Sequence, residues 1–121
     1  MLHIDALLPL YPDTAARRAL LEQALAQIHT DLSDIRHAIL AGCPAIARQH
    51  AHRAKGTVCF LGTHDTLPAF DLLSQALRAG DELRIRQAYV PVESALLELE
   101  SALRARLCAH DEQADAPGPD A

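Results

Sequence analysis

The chain contains no tryptophan and is poor in aromatic residues, with only two Phe and two Tyr among its 121 residues. Val and Ile are also sparse, whereas Leu and Ala dominate. Strands prefer β-branched and aromatic side chains, while helices prefer Leu and Ala. No segment alternates between apolar and polar residues as a half-buried strand would. The composition therefore predicts an all-α fold.

The sequence also lacks a long apolar run and a basic-then-apolar leader. We therefore expect no direct membrane contact. Its three cysteines, Cys43, Cys59 and Cys108, are odd in number and too far apart for a usual metal-ligand pairing. Such cysteines are typical of reduced cytoplasmic thiols, so we expect a cytoplasmic location.

The net charge of −5 is concentrated at the carboxy-terminal end. Four acidic residues and no basic ones fall within the last eleven, and the remainder carries twelve acidic against eleven basic residues. General attraction to nucleic acid is therefore not expected. Residues 110–121 are polar and contain Pro and Gly, which predicts a disordered acidic tail after a single domain of residues 1–109.

Apolar residues recur at helical spacing along most of this domain. A short amino-terminal helix is expected within residues 2–10, and Asp13 or Thr14 can cap the next helix. Its apolar stripe follows steps of four and three, and consists of Leu21, Leu25, Ile28, Leu32, Ile35 and Ile39. Gly42 and Pro44 end that helix and start another, which runs to about Leu61.

Two more helices complete the pattern. The third has an apolar face that includes Leu67, Phe70, Leu73 and Leu77, and Gly80 ends it. The last segment carries apolar residues from Ile85 to Leu107, and its internal Pro91 predicts a kink or a fresh helix start. Four amphipathic helices joined by short turns favour an antiparallel four-helix bundle, which we expect to be a monomer.

The second long helix contains the run Ala51-His52-Arg53-Ala54-Lys55-Gly56, and Gly62 follows ten residues after the histidine. On a helical wheel, one side gathers the apolar residues Ile46, Ala54, Val58 and Leu61. His52 points roughly opposite to them, so we expect it to face solvent or a partner.

The residues around His52 suit an imidazole that carries a phosphoryl group. Much of an exposed imidazole is unprotonated near neutral pH and can act as a nucleophile. Lys55 lies one turn further on, where its charge could attract the phosphoryl group. Gly56 leaves the approach unobstructed, although a Gly there could instead permit close helix packing together with Thr57.

This pattern resembles the signature of histidine-containing phosphotransfer (HPt) domains, which reads Ala-His-x-x-Lys-Gly with a further Gly six residues later. The likeness extends over roughly residues 5–107 and is closest to the carboxy-terminal HPt modules of hybrid sensor histidine kinases. It implies that His52 is a phosphohistidine, supported by Lys55, Gly56 and Arg53. A partner receiver domain is expected to dock at Arg48, Gln49, Cys59 and Arg78. Arg53 could either contact that partner or simply be solvated. Ser74 departs from the Glu or Gln that the family usually has there.

The resemblance implies a phosphorelay intermediate. His52 would accept a phosphoryl group from the aspartate of a receiver domain and pass it to the aspartate of a response regulator. The chain has no nucleotide-binding loop, so it would be a phosphocarrier without an ATP site, and whether it counts as an enzyme stays open. Mg²⁺ is expected on the receiver and no cofactor on this chain. The chain could also be the cytosolic end of a membrane-bound sensor kinase.

Two alternatives stay open. The same face could dock and sequester a receiver without phosphotransfer, or the chain could be the phosphoacceptor domain of a chemotaxis-type kinase. A metal site is not expected, because His50 and His52 diverge by about 200 degrees on a helix and do not chelate one ion.

Overall fold

The structure of the chain, a computed structural model, describes residues 2–115 and the side chains of residues 2–112. Helices make up almost all of this part, and it contains no strand. The prediction of an all-α fold is thus confirmed. A short helix α1 leads directly into a 3₁₀ turn at Leu8–Leu10, and the helices are α1 (Ile4–Leu7), α2 (Thr14–Leu40), α3 (Pro44–Leu61), α4 (Leu67–Ala79) and α5 (Glu82–Asp115).

Local sequence signals set the helix ends. The carboxylate of Asp13 caps α2 by accepting a hydrogen bond from the Ala16 amide at 2.6 Å. Gly42 follows α2 and Gly80 follows α4, and both have a φ of +71°. Residues with a Cβ rarely adopt this left-handed backbone conformation. Pro44 lies in the first turn of α3, where its missing amide removes no helical hydrogen bond.

The four long helices pack in a closed cycle of neighbours. α2 contacts α3 and α5, and α4 contacts the same two helices. Three ion pairs join α2 to α5, and the residue number falls along α2 while it rises along α5: Arg36–Glu93, His29–Glu100 and Arg18–Asp111. These two helices are therefore antiparallel. Their shared interior is built from leucine, isoleucine, valine, alanine and Phe70 side chains. Its largest fully buried apolar members are Ile4, Leu21, Ile28, Ile35, Phe70, Leu73, Leu96 and Leu103.

The amino-terminal segment is attached to two of these helices. The His3 amide donates to the Gly62 carbonyl at 3.0 Å, next to the end of α3. On the other side, the Arg106 guanidinium donates to both oxygens of Asp5, at 2.6 and 2.8 Å. These hydrogen bonds from Arg106 lower the pKa of Asp5 and raise the pKa of Arg106. Ile4 between them is fully buried, so the predicted short helix is an integral part of the core.

Three details differ from the sequence-based expectations. Of the two outcomes expected at Pro91, the fresh helix start does not occur, because α5 is continuous through this residue, and the kink stays a prediction. It also extends to Asp115, so residues 110–115 are helical and not part of a disordered tail. Residues 116–121 of the expected tail lie outside the described residues. Ile46, expected in the core, is 48% exposed, and the neighbouring Ala47 takes the buried position instead.

Candidate functional site

His52 lies on the outer face of α3. The buried residues of this helix recur at steps of four and three, and they are Ala47, Ala51, Ala54, Val58 and Leu61. With 100 degrees per residue, His52 lies about 140 degrees from the middle of that stripe. Its side chain is exposed, as the sequence predicted. The imidazole is therefore accessible to a molecule that approaches α3 from outside.

Lys55 is held by a carboxylate from the neighbouring helix. Its Nζ lies 2.7 Å from Oδ1 of Asp71 on α4. Both side chains reach solvent, with 35% of Lys55 and 57% of Asp71 exposed. The pair joins α3 to α4 one helical turn from His52, and it anchors the ammonium group on the side of the site that faces α4.

Gly56 borders open space. A Cβ built on Gly56 meets no atom within 4 Å, apart from its own helix backbone and chain neighbours. The alternative that this glycine permits close helix packing is therefore wrong. Gly62 is different, because a Cβ there would come within 3.1 Å of the Val58 carbonyl oxygen and 3.5 Å of Leu99. The first glycine leaves the histidine face clear, and the second allows the end of α3 to pack closely.

Arg53 reaches back toward α2. Its Nε donates to Oδ1 of Asp31 at 3.0 Å, and its Nη2 donates to Oδ2 of Asp34 at 2.7 Å. The hydrogen bonds to Asp34 and then to Asp31 raise the pKa of Arg53. Asp31 is completely buried, and its Oδ1 also accepts a hydrogen bond from Gln27. The guanidinium of Arg53 therefore binds a buried carboxylate on α2, a contact that neither docking nor simple solvation implied.

The four residues expected to dock a partner all reach solvent, and their docking role stays a prediction. Arg48 and Gln49 lie one turn before His52, and Cys59 lies two turns after it, so all three share its face of α3. Arg48 is partly buried, whereas Gln49 and Cys59 are exposed. Arg78 is exposed on α4, two turns beyond the aspartate that binds Lys55.

The other histidines near the site have neighbours of their own. His64, in the turn after α3, places its Nε2 3.6 Å from the Cys59 Sγ. His50 is partly buried on the α2 side of α3, with its Nδ1 3.9 Å from Oδ2 of Asp34. Within residues 2–112, no three His, Cys, Asp or Glu side chains come together as metal ligands.

The partners of the two cations were not found from the sequence. Asp31 lies beside the apolar stripe of α2, one turn after Ile28 and next to Leu32, and a carboxylate at such a position signals a buried ion pair. That signal could have pointed to a cation on the facing helix. Asp71 gives no comparable sign, since it is one of several exposed polar residues on α4.

No family model matches the chain, and no curated protein or solved structure matches it. Among the described residues, no helix is both long and apolar enough to span a membrane.

Proposed function

We propose that the chain is a phosphorelay intermediate of the HPt type, in which His52 carries the phosphoryl group. The observation that carries this proposal is an exposed imidazole on α3 with an ammonium group one turn away and open space at Gly56. A receiver domain must bring its aspartyl phosphate directly onto the ring nitrogen. Such a transfer needs an accessible nucleophile and no bulk beside it.

The finer architecture belongs to the same proposal. We infer that α2, α3, α4 and α5 form an antiparallel four-helix bundle, on the cycle of contacts among them and the opposed ion pairs of α2 and α5. In such a bundle the outer face of α3 is held by rigid neighbours on both sides. A cytoplasmic, monomeric chain would leave that face free for successive receivers.

The chemistry proposed for the chain is a simple exchange of bonds. A ring nitrogen of His52 attacks the phosphorus of a receiver aspartyl phosphate, a phosphorus–nitrogen bond forms and the phosphorus–oxygen bond breaks. The aspartate leaves as a carboxylate, and the ring proton passes to solvent. A second receiver reverses these steps with its own aspartate. The receivers would hold the Mg²⁺ that helps to neutralise the phosphoryl charge.

The test is transfer from a phosphorylated receiver in the presence of Mg²⁺. We expect the chain to acquire an acid-labile, alkali-stable label, and His52→Gln to abolish it without loss of helicity. His64→Gln is the matched control, because it removes another exposed imidazole close to the same face, and it should keep the label. A label retained in His52→Gln would refute the proposal.

The same assay separates the two alternatives. A docking module that only sequesters a receiver would form a complex that survives His52→Gln, with the phosphate left on the receiver. A chemotaxis-type acceptor would be labelled by an ATP-binding kinase domain supplied in trans and not by the receiver.

A further inference from the structure

The ion pair between Lys55 and Asp71 is arranged so that it competes with the phosphoryl group for the same ammonium. Asp71 Oδ1 lies 2.7 Å from Nζ, and Lys55 lies one helical turn from His52. In the unphosphorylated chain the cation is therefore already occupied. A phosphoryl group on His52 would carry up to two negative charges, whereas the carboxylate carries one.

We propose that Asp71 is a positioning residue that restrains Lys55 in the unphosphorylated domain and releases it to the phosphohistidine. This inference rests on the proposed function. The attraction between the ammonium and a dianion is roughly twice that for a carboxylate at the same distance. Since the Lys55–Asp71 pair is solvent-exposed, breaking it costs little and the exchange is readily reversible.

The physical effect of Asp71 is to weaken the hold of Lys55 on the phosphoryl group. For Lys55 to turn fully to the phosphoryl group the ion pair must break, and transfer of the group onward lets the pair form again. Asp71 thus lowers the stability of the phosphohistidine and favours passing the group to the next aspartate. A relay intermediate needs that balance, because a phosphohistidine that is too stable does not hand on its phosphoryl group.

The restraint is specific to Lys55. Arg53, the other cation of the motif, binds the fully buried carboxylate of Asp31 on α2. If Arg53 moved away, that carboxylate would be left buried without a compensating charge. The pair between Lys55 and Asp71 of α4 involves no buried side chain. The two cations are therefore held with different strengths, and only the weaker restraint suits an exchange that accompanies each transfer.

Phosphoramidate, a small chemical donor, tests this inference without any receiver. When it labels His52, its phosphorus–nitrogen bond breaks, a phosphorus–nitrogen bond to the ring forms, and the ring proton leaves with ammonia as ammonium. We expect Asp71→Asn to raise the labelling rate and the lifetime of the phosphohistidine by about two- to fivefold each, the factor that an exposed ion pair is worth. Asp71→Glu should restore the slower rate. Glu98→Gln, which removes one exposed negative charge from α5, should leave both quantities unchanged.

The decisive measurement repeats Asp71→Asn in a Lys55→Ala background. Because Asp71 acts through Lys55, its substitution there should change the rate and the lifetime by less than about twofold. Equal gains in both backgrounds, or no gain with Lys55 present, would overturn the inference. Absence of label on His52 from phosphoramidate would overturn it together with the proposed function. A further outcome is that the chain shows the expected dependence on Lys55 with phosphoramidate and yet takes no label from receivers. That result would support the restraint by Asp71 and refute only the phosphorelay function.

Discussion

Replacement of Gly56 separates the stability of the chain from its accessibility to a partner. The position lies inside α3, and an added Cβ would meet open space. Glycine in a helix interior is about 1 kcal/mol less favourable than alanine. We therefore expect Gly56→Ala to stabilise the isolated chain by about 0.5–1 kcal/mol, which corresponds to roughly 2–6 °C in Tm for a chain of this size.

The same substitution should impair transfer from a receiver. A longer side chain in Gly56→Gln would project beside His52 and push the partner away from the ring. A displacement of about 1 Å at the reacting atoms can cost on the order of a hundredfold in rate. We expect a loss of about ten- to a hundredfold for Gly56→Gln and a smaller one for Gly56→Ala.

The assays are thermal unfolding followed by circular dichroism, and phosphotransfer measured with two donors. A receiver needs the whole face, whereas phosphoramidate needs only the ring, so labelling by phosphoramidate should stay nearly unchanged. Ser94→Gln, which adds similar bulk at an exposed position of α5, is the control and should leave both donors unaffected. Loss of stability in Gly56→Ala would refute the open-space reasoning. Normal receiver-dependent transfer in Gly56→Gln would refute the role of the glycine in access.

Two further predictions concern the ion pairs that join the helices. Arg53→Ala should lower the free energy of unfolding in urea by about 2–3 kcal/mol, because it leaves the buried Asp31 carboxylate without its cation. Arg48→Ala, the control, should change that free energy by less than about 0.5 kcal/mol. Equal effects of the two substitutions would contradict the importance of the buried ion pair. Because the pKa of Asp5 is lowered in the folded chain, its carboxylate stabilises the fold at any pH above the ordinary pKa of an aspartate. That stabilisation is lost as the pH falls through the lower pKa of the folded state. Unfolding in urea at pH 6 and pH 3 should therefore show a larger loss in the wild type than in Asp5→Asn, and identical losses would contradict the role of the Arg106 pair.

The helices were predictable because their signals are local. The apolar stripe of α2, the glycines at its end and after α4, and the proline at the start of α3 act over one or two turns of chain. The outward direction of His52 followed from the same 3.6-residue period. These inferences need no knowledge of which helix packs against which.

The continuity of α5 was not predictable from local signals. A proline in a helix interior removes one hydrogen bond and crowds the preceding turn, at a cost of about 3 kcal/mol. Pro91 is exposed, while the next residue, Val92, is fully buried, as are Leu96 and Leu103 further along. Burial of each such side chain contributes about 1.5–3 kcal/mol. The packed face of the helix therefore outweighs the local penalty, an outcome that depends on tertiary contacts.

The pairing of the cations shows where sequence reasoning about the site stopped. Arg53 and Lys55 are two residues apart on α3, so they point to different neighbours, one toward α2 and the other toward α4. Which carboxylate each one meets depends on the register between helices, and the sequence of α3 alone does not contain it. Once both partners are known, the cations cease to be equivalent. Arg53 pairs with a buried carboxylate of α2, while Lys55 pairs with an exposed carboxylate of α4, which is the one that we propose a phosphoryl group displaces. Under the proposed function, the cation that would respond to phosphorylation is thus selected by the burial of its partner and not by its own residue type.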